Sequence, residues 1–401
     1  MHNSICNNAV YCALILLAAV APPALADSDS IHERAIVIDT HSDYLYRSDL
    51  TGDGLADEPK NAQTTLAKLR QGGMDAQFFS VWASPAYEKY GYARKTLEYI
   101  DKFYQQVALH PDDLEVALTV DDIRRISGQG KIAALMGIEG GHMIENRLAL
   151  LRNYYRLGVR YMTLTWSNGT RWADSSGDTA LWGGLTDFGR EVVLEMNRLG
   201  MMVDISHVSD DTFRDVMEVS KAPVIASHSS VRALRDHPRN MTDDMIRALA
   251  KNGGVIQINF YAYFIDPVFG DRVDAAFAAT NDELTAIASR NLDDMVAYDD
   301  AEWAYDRKVQ GSIESPPLSV VIDHIDHVVQ LVGPEHVGLG SDFDGVNSLP
   351  VGLEHQGKMP NITRALVEKG YSEADIKLIL GENLLRVMAA VEDTAQALAR
   401  E

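Results

Sequence analysis

The strongest constraint on this chain is its alternation of short β-rich runs with helical patterns, maintained from residue 36 to residue 342. The runs cover 36–38 (Ile-Val-Ile), 74–82, 132–138, 160–165, 201–205, 223–226, 255–260 and 337–340. Each is a short apolar stretch bounded by polar or glycine-rich residues, the pattern of a strand buried on both faces. Eight such strands alternating with helices predict a closed α/β barrel, the (β/α)8 or TIM-barrel class, rather than an open sheet. The 401 residues, 46% of them apolar, are enough to bury a core of that size.

Three stretches depart from the alternation. Residues 1–26 carry an apolar segment followed by Ala24-Leu25-Ala26, a small-x-small cleavage pattern. This predicts a signal peptide cut after Ala26 and a mature chain, 27–401, that is one catalytic domain without a membrane anchor. Cys6 and Cys12 both lie in the leader, so the mature chain has neither a disulfide nor a cysteine–metal site. Residues 52–60, rich in Asp and Gly, lack the full ligand series of a calcium loop and read as a surface loop. Residues 266–317 form an insertion between the seventh and eighth strands. It carries an acidic helical pattern over 282–307 with Tyr298, Trp303 and Tyr305, and reads as a lid over the barrel mouth. The net charge of −22 argues against nucleic acid and against an anionic membrane surface as partners.

The chemistry sits at the strand ends. His41-x-Asp43 follows the first strand, Glu139 the third, His207 the fifth, His228 the sixth and Asp342 the eighth. In a barrel these ends converge on one face, where active sites form. Imidazoles and carboxylates are ligands for a divalent metal, zinc first. Three imidazoles and two or three carboxylates exceed the three protein ligands of one catalytic zinc, so the set predicts two metal ions. Glu139 is the natural bridge, because a carboxylate has two oxygens. A metal pair of this kind clamps a hydroxide for attack on a carbonyl. His142, just after Glu139, is close enough to orient a ligand or touch substrate. Arg239, in a mouth loop after the sixth strand, suits capture of a substrate carboxylate. His324 and His327 lie three apart on a predicted outer helix over 318–332 and are expected at the surface.

These residues carry a resemblance. Asp39-Thr-His41-Ser-Asp43, Gly137-Ile-Glu139-Gly-Gly-His142, Trp172-Ala-Asp174, Asp204-Ile-Ser-His207-Val-Ser209, Ser227-His228-Ser-Ser230, Arg239-Asn240, Gly340-Ser-Asp342-Phe-Asp344-Gly345 and Asn383-Leu-Leu-Arg386-Val387 together resemble the membrane dipeptidase (renal dipeptidase) family. The likeness covers nearly the whole mature chain in one order. It implies a barrel of the metal-dependent amidohydrolase type that holds two Zn2+ and hydrolyses dipeptides, with a D-residue accepted at the C-terminal position. It further implies that His41 and Asp43 bind one zinc, that His207 and His228 bind the other, and that Glu139 bridges them. By the same resemblance Asp342 is the catalytic acid/base, Arg239 clamps the substrate carboxylate, and Tyr261 lines the pocket. One position departs. Trp166 stands where the family has a histidine that hydrogen-bonds the substrate carbonyl or its oxyanion. Losing such a donor typically costs on the order of 10²–10³ in rate.

The leading expectation is therefore a zinc dipeptidase exported to the periplasm, with a small dipeptide-like substrate; a homodimer stays open. Two alternatives stand beside it. One is an exported amidohydrolase maturing a peptide-derived metabolite, with Trp166 and the lid setting its choice. The other is a metal-binding homologue that has lost peptidase activity, which intact Glu139 and Asp342 argue against.

Overall fold

The computed structural model describes residues 28–290 and 295–400; the predicted leader and its predicted cleavage site lie outside them. Nine strands form one parallel sheet: β1 (Ile38–Ser42), β2 (Ala76–Val81), β3 (Leu114–Val116), β4 (Ile132–Glu139), β5 (Val159–Thr163), β6 (Met202–Asp204), β7 (Ile225–Ser229), β8 (Val255–Ile258) and β9 (Val337–Leu339). Eight follow one another around the barrel in the order β1-β2-β4-β5-β6-β7-β8-β9, and β3 pairs with the lower part of β4. The ring closes where the segment after β9 meets β1: the Ser42–Phe343 bridge is parallel, and the Asp43 amide donates to the Phe343 carbonyl at 2.8 Å. The short β3 was not among the predicted strands, because three residues give no readable period.

Every residue of β1, β2, β4 and β5 is buried, as expected for a parallel sheet covered on both faces. Two sets of apolar side chains result. Val81, Met136, Met162, Val203 and Ile256 face the surrounding helices. Ala76, Phe78, Leu135, Tyr161, Met202 and Ile225 fill the barrel's base, plugged from below by Leu384, Leu385 and Met388 of the C-terminal helix Asn383–Leu398. Helix starts are fixed by side-chain caps. Thr186, Ser209, Thr242 and Ser372 each accept the amide three residues on. Helices Asp187–Leu199 and Asp243–Asn252 end on left-handed Gly200 and Gly253.

The insertion between β8 and β9 is helical, as its pattern predicted, but in pieces: Ala262–Ile265, Pro267–Ala279, Asn281–Arg290 and Met295–Gln310. Its last helix lies along the barrel mouth. One expectation fails. His324, on the helix Ser319–Val332, is 1% exposed rather than a surface residue. Its Nδ1 accepts the Val231 amide at 3.0 Å and its Nε2 donates to the Ile265 carbonyl at 2.9 Å, tying the mouth loop to the insertion. An i,i+3 histidine pair shows which face the two share, not whether that face looks outward. His327 stays half-exposed and pairs with Asp243.

Candidate metal centre

Glu139, at the last position of β4, presents its two carboxylate oxygens to two different sets of ligands. Oε2 lies 3.5 Å from His41 Nε2, which is itself 3.4 Å from Asp43 Oδ2 and 4.0 Å from Asp342 Oδ1. Oε1 lies 2.9 Å from His207 Nε2 and 3.4 Å from His228 Nε2. The six strand-end residues singled out in the sequence thus converge within one buried cluster, each at most 8% exposed.

The backbone is shaped to bring them there. By strict alternation from Ile38, which faces the barrel interior, His41 would point outward. The register of β1 against β2 slips between Asp39 and Ser42, and His41 turns inward beside Asp43. His207 and Asp342 both adopt left-handed backbone, φ 66° and 65°, which is uncommon for side-chain-bearing residues and concentrates at functional sites. Gly345 leaves the room. A Cβ there would stand 2.1 Å from Asp43 Oδ2 and 2.6 Å from Asp342 Oδ1.

The ligands are held from behind. His41 Nδ1 donates to Tyr161 Oη at 2.8 Å, because that hydroxyl spends its own hydrogen on the Thr40 carbonyl at 3.0 Å. Tyr161 fits only because residue 137 is glycine, where a Cβ would overlap its ring. His228 Nδ1 donates to Ser227 Oγ at 2.8 Å, and Ser227 donates to Asp204 Oδ2 at 2.6 Å. Both imidazoles are therefore fixed in the tautomer that leaves Nε2 with a free lone pair facing Glu139, the arrangement by which second partners orient metal-binding histidines. Asn259 donates to Asp342 Oδ2 at 2.8 Å, leaving Oδ1 turned to the cluster. Tyr161 and Asn259 were not identified from the sequence. A tyrosine inside an apolar strand carries no sign of its role.

The electrostatics call for a cation. Burial works against charge on every member. It lowers His228 well below the usual histidine value and His207 to about 4, with the Arg239 charge adding to the latter. Burial would also lower His41, yet Tyr161, Asp43 and Glu139 push it well above its ordinary value. Burial would raise Glu139, but the charge beside it at His41 and the imidazoles of His207 and His228 crowding its oxygens hold it well below. Asp342 rises to about 7, chiefly through burial, with Asp43 and Glu139 adding against His41. A buried cluster of three carboxylates and three imidazoles fits divalent metal well. His41 Nε2 has no hydrogen-bond partner despite full burial, and the His41/Glu139/His228 and His41/Asp43/Asp342 donor sets each lie within 4.8 Å.

Beyond the cluster opens a cavity of about 390 Å³, lined by Asp43, Glu139 and Asp342 on the barrel side and by Trp82, Trp166, Tyr261 and Phe264 on its walls. Trp166 packs 4.8 Å from Trp82 and 6.3 Å from His207, ring centre to ring centre. Tyr261 lines the cavity and accepts a hydrogen bond from Gln310 of the lid. Arg239 is 8% exposed. Its guanidinium reaches the His228 carbonyl through Nη2 at 3.2 Å, while Nε and Nη1 have no partner. His142 does not line the cavity. Its Nε2 donates to the Ala83 carbonyl at 2.9 Å, and its buried Nδ1, which then carries no hydrogen, faces Gly140. Burial lowers it to about 4. It braces the loop after β4 and offers no donor to a substrate oxyanion.

Comparisons with known proteins identify the family. Residues 25–401 match the membrane dipeptidase family, peptidase family M19. An uncharacterized dipeptidase of Schizosaccharomyces pombe is 37% identical over 394 residues, spanning 92% of this chain and 84% of that protein. Among solved structures, the probable dipeptidase PvdM from Pseudomonas aeruginosa superposes with a TM-score of 0.80 at 26% identity, covering 92% of this chain and 98% of that one. A metallo peptidase from Rhodobacter sphaeroides, liganded with a phosphinate mimic of the dipeptide L-Ala-D-Ala, shares the fold with a TM-score of 0.72 at 22% identity, covering 89% of this chain and 99% of that one. With residues 25–401 matched and a curated relative at 37% identity, the chain belongs to the membrane dipeptidase family, peptidase family M19, a family of metal-dependent hydrolases acting on dipeptides.

Proposed function

We propose that this chain is an exported, periplasmic two-zinc dipeptidase that cleaves dipeptides bearing a free C-terminal carboxylate and accepts a D-residue at that position. The observation that carries the reading is Glu139, whose two oxygens serve two separate ligand sets within 3.5 Å. His41 and Asp43 would hold one ion, His207 and His228 the other, and Glu139 both. When bound, such a pair polarises a carbonyl and lowers the pKa of water.

The chain's own residues supply the rest. Arg239, buried, has two donors, Nε and Nη1, without a partner. Burial lowers its pKa only to about 10, so it stays charged at neutral pH and suits a carboxylate clamp. Asp342, aimed by Asn259, takes a proton at Oδ1 and returns it to the leaving amine, the work of a general acid/base. The Trp82, Trp166 and Tyr261 walls exclude water and set the cavity's shape. Trp166 also favours a second reading, an amidohydrolase acting on a peptide-derived metabolite, because an indole is bulkier than imidazole and cannot carry positive charge.

A panel of dipeptides with L- and D-residues at the C-terminal position, each beside its C-terminal amide, tests the first reading. Hydrolysis of the free acids, with the amides poorer by at least about 10², the value of a desolvated charge-assisted contact, supports it. Equal rates on acids and amides would mean that Arg239 is not the carboxylate clamp, and no turnover at all favours the second reading.

A further inference from the structure

The lid helix Met295–Gln310 places Glu302, Trp303 and Asp306 on the wall of the catalytic cavity. Glu302 and Asp306 are four apart on one helix face, where like charges repel. Glu302 accepts the Tyr298 hydroxyl at 2.8 Å. Asp306 has neither a hydrogen bond nor an ion pair among the described residues. Burial and the Glu302 charge raise it to about 6. The neighbouring cations are engaged elsewhere. Arg307 lies over the Trp303 ring and reaches Asn347 on the wall of an adjoining cavity, and Lys308 pairs with Glu283.

The cavity is built for a ligand independently of this pair. Buried Arg239 has two unpartnered donors, its guanidinium carbon lies 5.5 Å from the ring centre of Phe264, a wall residue, and it feels the charges of Asp342 and Glu139. Metal ions held by the centre would match its carboxylates, and the lid pair would then remain as uncompensated negative charge. Trp82, Trp166 and Trp303 line the same cavity, and indole faces attract cations.

We propose that Glu302 and Asp306, with the tryptophan walls, select dipeptides that carry a cationic side chain. This rests on the dipeptidase reading and adds a substrate class to it. An ammonium or guanidinium reaching the lid would take the place of the missing partner of Asp306 and relieve the repulsion from Glu302. Trp166 would give it a larger and more electron-rich aromatic face than an imidazole.

The test compares zinc-loaded mature protein on Lys-Ala against norleucine-Ala, and on Ala-Lys against Ala-norleucine, which differ by charge at matched length. For the position that reaches the lid, kcat/KM is expected about tenfold higher for lysine, carried mainly by KM. The double substitution Glu302→Gln with Asp306→Asn is expected to bring that ratio to within about twofold of one, the residue left to the aromatic faces. Ratios near one in the unsubstituted protein, or an unchanged ratio in the variant, overturn the proposal. If neutral dipeptides are cleaved without charge preference, only this inference falls; if no dipeptide is cleaved, the dipeptidase reading falls and this inference with it.

Discussion

At the strand ends, His41, His228 and Asp342 are each braced from behind, by Tyr161, Ser227 and Asn259. On the lid, Asp306 has no partner among the described residues and sits one turn from a like charge. The two walls of one cavity are built to different standards. Groups that perform chemistry must be held close to their productive geometry before substrate arrives. Groups that select substrate can be left frustrated, because the ligand itself completes them. The strand ends also belong to the closed sheet, whereas the lid is an insertion that the barrel does not need for closure.

If that division is right, substitutions at the two walls separate rate from choice. The largest effect is expected at Asp342→Asn, which keeps the Asn259 side of the residue but cannot take a proton. Turnover of any accepted dipeptide should fall by about 10²–10⁴, with zinc content by elemental analysis unchanged. Loss of zinc together with activity would make Asp342 a ligand instead.

Next is Tyr161→Phe, which strips the acceptor from His41 Nδ1 and leaves a buried N–H unpaired. Metal affinity, measured by competition with a chelator, should weaken about 10–100-fold, with little change in fold because the ring still fills the space above Gly137. Unchanged affinity would mean that His41 is not oriented from behind.

Trp166→His tests the border between the walls. It restores a smaller, ionisable donor beside His207 and is expected to raise kcat on small neutral dipeptides about tenfold, part of the usual value of an oxyanion donor, while reducing any preference for cationic side chains. Identical kinetics on every dipeptide would remove Trp166 from the account of specificity.

The smallest effect concerns stability. The Asp306 carboxyl is raised to about 6 by burial and Glu302, so it holds its proton more tightly folded than unfolded. Its ionisation costs stability once pH exceeds the ordinary aspartate range, the cost grows until pH passes about 6, and it is full above that. Asp306→Asn should therefore melt like the unsubstituted protein near pH 4 and about one or two degrees higher at pH 7. A difference of the same size at both pH values would mean the carboxyl is not held out of its ordinary range.

Much of the barrel was legible because a buried parallel strand announces itself by a dense apolar run, and because polar residues at the ends of such runs are conspicuous. His41, Asp43, Glu139, His207, His228 and Asp342 all stood out this way. What failed to show has physical causes. The slip in β1 that turns His41 inward is a matter of backbone register, and period-two reasoning placed His41 and Asp43 together without it. Tyr161, Ser227 and Asn259 act through single hydrogen bonds that the sequence does not display. His324 was read by spacing alone, although burial of its helix face depended on the insertion packing over it. His142 was read by proximity to Glu139, yet its ring turns away to the Ala83 carbonyl. The lid's acidity was plain in the sequence; which of its carboxylates face the cavity required the helix to be placed.

The central claim is that Glu139 joins two metal sites, and metal stoichiometry tests it most directly. Zinc bound per folded chain, measured by elemental analysis after titration and gel filtration, is predicted to be two, falling to one or none in Glu139→Gln with the fold retained by circular dichroism. One zinc in the unsubstituted protein, or two retained by the variant, would contradict a shared bridge.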